Sequence, residues 1–130
     1  MATMIELSPV PIEQVPDQVA GRVSAPSIDL GHLQRMTLGD RGLQREVLEL
    51  FDRQAGMLIA RMREASPAAV AACAHTLKGS ASGIGAFAVT GAAETVELAV
   101  SADELAPALA RLVAAVEATQ AIIAELLRAH

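Results

Sequence analysis

Tryptophan and tyrosine are absent from the 130-residue chain, and Phe51 and Phe87 are its only aromatic residues. A β-sandwich is disfavoured, because strands draw on aromatic and β-branched residues. Lys78 is the one lysine, and the formal net charge is −5. Nucleic-acid binding through a basic patch is not expected, since phosphate contacts need clustered Lys and Arg. One cysteine, Cys73, cannot close an internal disulfide, so a reducing compartment is the simpler setting. No apolar run is long enough to span a bilayer. No signal peptide is visible, because Glu6, Glu13 and Asp17 interrupt the apolar start. The chain is therefore expected to be cytoplasmic and to bind no membrane.

What is present is aliphatic. Apolar residues make up 52% of the chain, so the core must come from Ala, Leu, Val, Ile and Met. Ala and Leu are strong helix formers. Four of the six prolines, Pro9, Pro11, Pro16 and Pro26, fall in the first 26 residues. Residues 1–27 are thus expected to form an extended arm, with at most a helical turn near 13–20. Residues 28–130 are expected to form one domain.

Asp29 can cap a short helix through Leu38, with Gly39 as its stop. Asp40 can cap a second helix to about Glu64, whose apolar stripe is Leu43, Val47, Leu48, Phe51, Ala55, Leu58, Ile59 and Met62. Ser66 and Pro67 mark a new helix start. That helix runs to about Ile84 and breaks at 83–85; another covers about 86–100. Residues 101–103 read as a turn, and Pro107 is tolerated only near a helix start, so the last helix follows it to about Arg128. Met36, Met57 and Met62 are expected to fill the core. Short connections make successive helices antiparallel neighbours. The expected fold is all-α: an up-down antiparallel four-helix bundle with a short additional N-terminal helix and an extended N-terminal arm.

The stretch that carries chemistry is Ala74, His75, Thr76, Leu77, Lys78, Gly79, Ser80 and Ala81. With His75 at zero on a helical wheel, the apolar residues Val70, Cys73, Leu77, Ala81 and Ile84 fall between roughly 160° and 240°. The imidazole should then face solvent. Its neighbours on that face are small: Ala68, Ala71, Ala72, Gly79 and Ser82. A helix-interior glycine costs about 0.5–1 kcal/mol relative to alanine, and open access to His75 is a compensating reason. Lys78, three residues on, places an ammonium on the same side. An exposed neutral imidazole is a nucleophile near pH 7, and attack on a phosphoryl group yields a covalent phosphorus–nitrogen intermediate. Such transfer needs in-line approach and cations for the developing charge. No carboxylate cluster is visible for a metal, and His32 and His130 have no ligand spacing with His75, so no metal or cofactor of the chain's own is expected.

These eight residues, with Gly85 and Ala86 after them, resemble the signature of histidine-containing phosphotransfer (HPt) domains. The likeness extends over about residues 28–129. Ile28, Asp29, Leu33, Gly39, Asp40, Leu43, Glu46 and Phe51 resemble the family's opening helices, and Val96-Glu97 stands where a Leu-Glu pair is usual. Ala93 and Val70 replace bulkier residues, Pro67 replaces an acidic cap, and residues 1–27 have no counterpart.

The resemblance implies His75 as phosphoacceptor, with Lys78 as electrostatic support and Gly79 giving steric access. It implies a relay between aspartates of receiver domains, on a hybrid histidine kinase or a response regulator, with Mg²⁺ supplied by the receiver. Ser82, Ala71, Ala72 and Leu33 are candidate phosphate or docking contacts, and Leu30, Leu33 and Met36, together with the first turn of the histidine helix, a candidate apolar rim. Lys78-Gly79-Ser80 is not a P-loop, so no ATP-dependent kinase activity is expected. The alternative is a non-catalytic helical adaptor that binds a receiver or kinase. A dimeric helical phosphotransferase would need a second apolar seam; the HPt resemblance implies a monomer.

Overall fold

Helix caps divide the chain where the sequence places them. The computed structural model describes residues 28–129; the expected arm at 1–27, and His130, lie outside the described residues. Among the described residues there are five helices and no strand: α1 Leu30–Met36, α2 Arg41–Met62, α3 Pro67–Ile84, α4 Phe87–Leu98 and α5 Ala102–Ala129. Asp29, Asp40 and Ser66 each accept a hydrogen bond from the backbone N–H three residues ahead, at 3.0, 2.9 and 3.3 Å. Each satisfies a donor that the first helical turn leaves unpaired.

The fold class is all-α, as expected. Helix α2 packs on α3 and α5, and α4 also packs on α3 and α5, so the four long helices close a ring around one core. Leu48, Leu77, Val89 and Leu112 are fully enclosed there, together with Ala55, Ala74, Ala81 and Ala93. Small side chains at these points let helices approach closely at interior packing density. Helix α1 lies against α3, held by buried Leu33 and by the Asp29 N–H donating to Gly85 O at 2.9 Å. The His32 ring meets Phe87 edge-on at 5.2 Å.

Three expectations are corrected. Helix α1 stops at Met36, because Leu38 (φ +54°) and Gly39 (φ +75°) both turn left-handed to reverse the chain. Helix α5 starts at Ala102, not after a turn at 101–103. Ser101 Oγ accepts from Glu104 N–H at 3.2 Å, and Glu104 accepts from Val100 N–H at 2.8 Å. This reciprocal cap begins the helix early and leaves Pro107 inside it, on an exposed face. Met36 and Met57 are exposed, and only Met62 of the three methionines is buried. The buried stripe of α2 runs through Leu48, Phe51, Ala55, Leu58 and Met62, while Leu43, Leu50 and Met57 fall one step away on the wheel and face outward. Leu33 is 4% exposed and lines the floor of a groove between α1, α2 and α3, while Leu30 and Met36 are exposed.

Gly85 is where a side chain is excluded. Its φ is +81°, and a Cβ there would stand 2.9 Å from Asp29 O. That glycine ends α3, turns the chain into α4 and receives the start of α1 in one place.

Candidate functional site

Helix α3 buries Val70, Cys73, Ala74, Leu77, Ala81 and Ile84. The opposite face therefore points outward, and the His75 side chain is 70% exposed. The ring is tethered all the same. His75 Nδ1 lies 2.8 Å from Glu97 Oε2 on α4. Lys78 Nζ lies 2.7 Å from the other oxygen, Glu97 Oε1. One carboxylate thus spans the histidine and the lysine, and its side chain is only 21% exposed.

The electrostatics follow from that bridge. The hydrogen bond from Lys78 holds the Glu97 carboxyl below its ordinary range, with a further contribution from the bond to His75 and partial opposition from desolvation. The same bond to Glu97 raises Lys78, against a desolvation cost, and Glu94 adds to the rise. Glu97 and Lys78 therefore stay charged throughout neutral pH. A carboxylate only accepts hydrogen bonds. In the neutral imidazole the proton sits on Nδ1, and the lone pair is left on Nε2.

Gly79 is exposed, and a Cβ built on it meets nothing within 4 Å. Close helix packing is thus not the reason for a glycine here. Ala72 is exposed and Ala71 half-buried on the turn before His75. The structure keeps Ser82 apart from this group. Its hydroxyl pairs with Thr90 Oγ1 at 3.1 Å, and seven residues of helix set it about 10 Å along the axis from His75. Ser80 lines a groove of about 280 Å³ between α1, α2 and α3, with Met36, Leu43, Leu50, Phe51 and Gly83.

Glu97 is the residue that sequence reasoning missed as a functional one. A signal exists in retrospect. The α3–α4 hairpin reflects about Ala86, so residues equally far on either side of it meet. His75 and Glu97, eleven residues on either side, bond to each other. Ser82 and Thr90, four on either side, do likewise. Lys78 and Glu94, eight on either side, interact electrostatically. Finding Glu97 required the position of the turn and the phase of both helices.

Fold and site together define an all-helical domain that presents one carboxylate-tethered imidazole to solvent. Residues 46–129 match the Hpt domain family, a stretch that takes in α3, α4, α5 and most of α2. The chain belongs to that family, whose members are histidine phosphotransfer intermediates of two-component signalling rather than kinases. No curated protein and no solved structure matches the chain. No described helix is long and apolar enough to cross a membrane. Among the described residues no group of three or more His, Cys, Asp or Glu side chains could hold a metal ion.

Proposed function

We propose that His75 carries the phosphoryl group in a phosphorelay, taking it from the phosphoaspartate of one receiver domain and passing it to the aspartate of another. The observation that carries this reading is the 2.8 Å contact of Nδ1 with Glu97 on an otherwise exposed ring. It leaves the Nε2 lone pair aimed at solvent, where an in-line donor has access. Lys78 supports the developing charge on the phosphoryl oxygens, and Gly79 leaves room for the donor. The receiver supplies the second carboxylate and Mg²⁺. The up-down helix path and a cytoplasmic setting belong to the same reading.

The receiver docks on the apolar groove between α1, α2 and α3. Ser80, on its wall, follows His75 by about a turn and a half on the same helix. Leu50 is exposed on the opposite wall. Leu50→Asp is expected to lower the transfer rate about tenfold or more, the cost of one desolvated charge at an apolar contact. Circular dichroism should be unchanged. Native transfer kinetics in this variant would place docking elsewhere.

The direct test is transfer from a panel of phosphorylated receivers to the purified protein, scored as acid-labile, base-stable label. A folded protein that binds a receiver and takes no label is an adaptor. A dimeric reading has one observation in its favour: Leu43, Leu50 and Met57, exposed at seven-residue spacing along α2, form a second apolar seam. Light scattering decides between them, and a monomer is expected because that seam serves the receiver.

A further inference from the structure

The same carboxylate that sets the tautomer of the free histidine has a second consequence once the ring is phosphorylated. Transfer to His75 forms a bond from the Nε2 lone pair to phosphorus, and the acyl phosphate P–O bond breaks with its electron pair returning to the receiver's aspartate. The Nδ1 proton stays where Glu97 accepts it, 2.8 Å away. The product ring then carries both an N–P bond and an N–H, and is formally cationic. When the phosphoryl group leaves, to water or to a second aspartate, the N–P electron pair returns to Nε2. With the Nδ1 proton in place the departing group is a neutral imidazole. Without it the departing group is an imidazolate anion, which is far poorer. Stabilising the cationic ring thus favours departure.

Lys78 is bound to the same carboxylate. Its ammonium is 2.7 Å from Glu97 Oε1, and that bond, with Glu94 nearby, is what raises it. The charged groups that face the ring and one another here are Lys78 on α3, and Glu94 and Glu97 on α4.

We infer that Glu97 shortens the life of the phosphohistidine by keeping the Nδ1 proton on the phosphorylated ring. His75 is then a fast donor rather than a phosphate store. Glu97 acts through His75 and is a positioning residue. The inference rests on the phosphoacceptor reading, but its test needs no receiver.

The full chain, Glu97→Gln, Glu97→Asp and Lys78→Met are labelled with the small-molecule donor phosphoramidate. The donor is removed, and the phosphohistidine signal is followed by phosphorus NMR from about pH 6 to about pH 9, the span over which an imidazole proton is gained or lost. Glutamine still accepts at Nδ1 but carries no charge, so the cationic ring loses its stabilisation. Glu97→Gln is expected to lose its phosphoryl group about tenfold more slowly at the alkaline end of that range, where both rings are mostly deprotonated, the change that one unit of proton affinity brings. Its decay should begin to slow at a lower pH than that of the native protein. Glu97→Asp should move back toward native, and Lys78→Met, which keeps the Glu97 carboxylate on Nδ1, should retain the native pH dependence of the decay even where its rate changes.

Equal lifetimes in native protein and Glu97→Gln overturn the inference. So does a decay that begins to slow at the same pH in Glu97→Gln and in the native protein. Failure of phosphoramidate to label native His75 also overturns it. Failure of every receiver to label the native protein, with the lifetimes as expected, sinks the relay reading and leaves the role of Glu97 standing.

Discussion

His75→Gln is expected to take no phosphoryl label from any receiver that labels the native protein, a loss limited only by detection. The reason is chemical. Glutamine keeps a polar side chain of similar reach but has no nitrogen lone pair able to attack phosphorus. His75 is exposed and lies opposite the buried stripe of α3, so the replacement leaves the core untouched. Exposed substitutions away from special features change stability by only about 0.5 kcal/mol. Thermal unfolding should therefore match the native protein while labelling disappears. His32 is the internal control: its ring is packed edge-on against Phe87. Label surviving in His75→Gln would move the phosphoacceptor to another residue.

The second large effect is expected at Gly79, where activity and stability should part company. A Cβ built on Gly79 meets nothing within 4 Å, so Gly79→Ala fits without displacing any neighbour. Helix propensity alone then makes the alanine variant about 1 kcal/mol more stable. Gly79→Leu gains similar propensity, but its branched side chain rises beside the imidazole four residues before it, since i and i+4 share a helix face. A receiver's phosphoaspartate must bring its phosphorus to about 3–3.5 Å from Nε2 to react, and the leucine occupies that approach. We expect Gly79→Leu to transfer at least about a hundredfold more slowly, the scale at which small misplacements act. Gly79→Ala should stay within a few-fold of native. Calorimetry and transfer rates on the same preparations check both halves. A leucine variant that accepts phosphate at the native rate would remove steric access as the reason for this glycine.

How much was legible differs from element to element. Asp29, Asp40 and Ser66 announced three helix starts because a cap is a local feature, settled within three residues. Gly85 announced the end of α3 for the same reason, although its close approach to Asp29 O is a tertiary fact. The start of α5 was misplaced because Pro107 looked like a boundary. The reciprocal bonds of Ser101 and Glu104 begin the helix earlier, and an exposed proline in its second turn is tolerated. Met36, Met57 and Leu43 carry the apolar character of core residues. Their exposure depends on where α1 and α3 lie against α2, which helical spacing along one strand of sequence does not contain.

The same division separates the two halves of the site. From the sequence alone came an all-helical chain, a histidine with a solvent-facing phase, and the small residues and lysine beside it. All of these are properties of a single helix, and helical period and residue size decide them. Only the tertiary structure brought Glu97 to 2.8 Å from His75 and 2.7 Å from Lys78. That contact depends on the turn at Gly85 and on the rotation of α4 against α3. Twenty-two residues of chain separate the histidine from its carboxylate, and close packing across the hairpin, rather than any local preference, sets their phase.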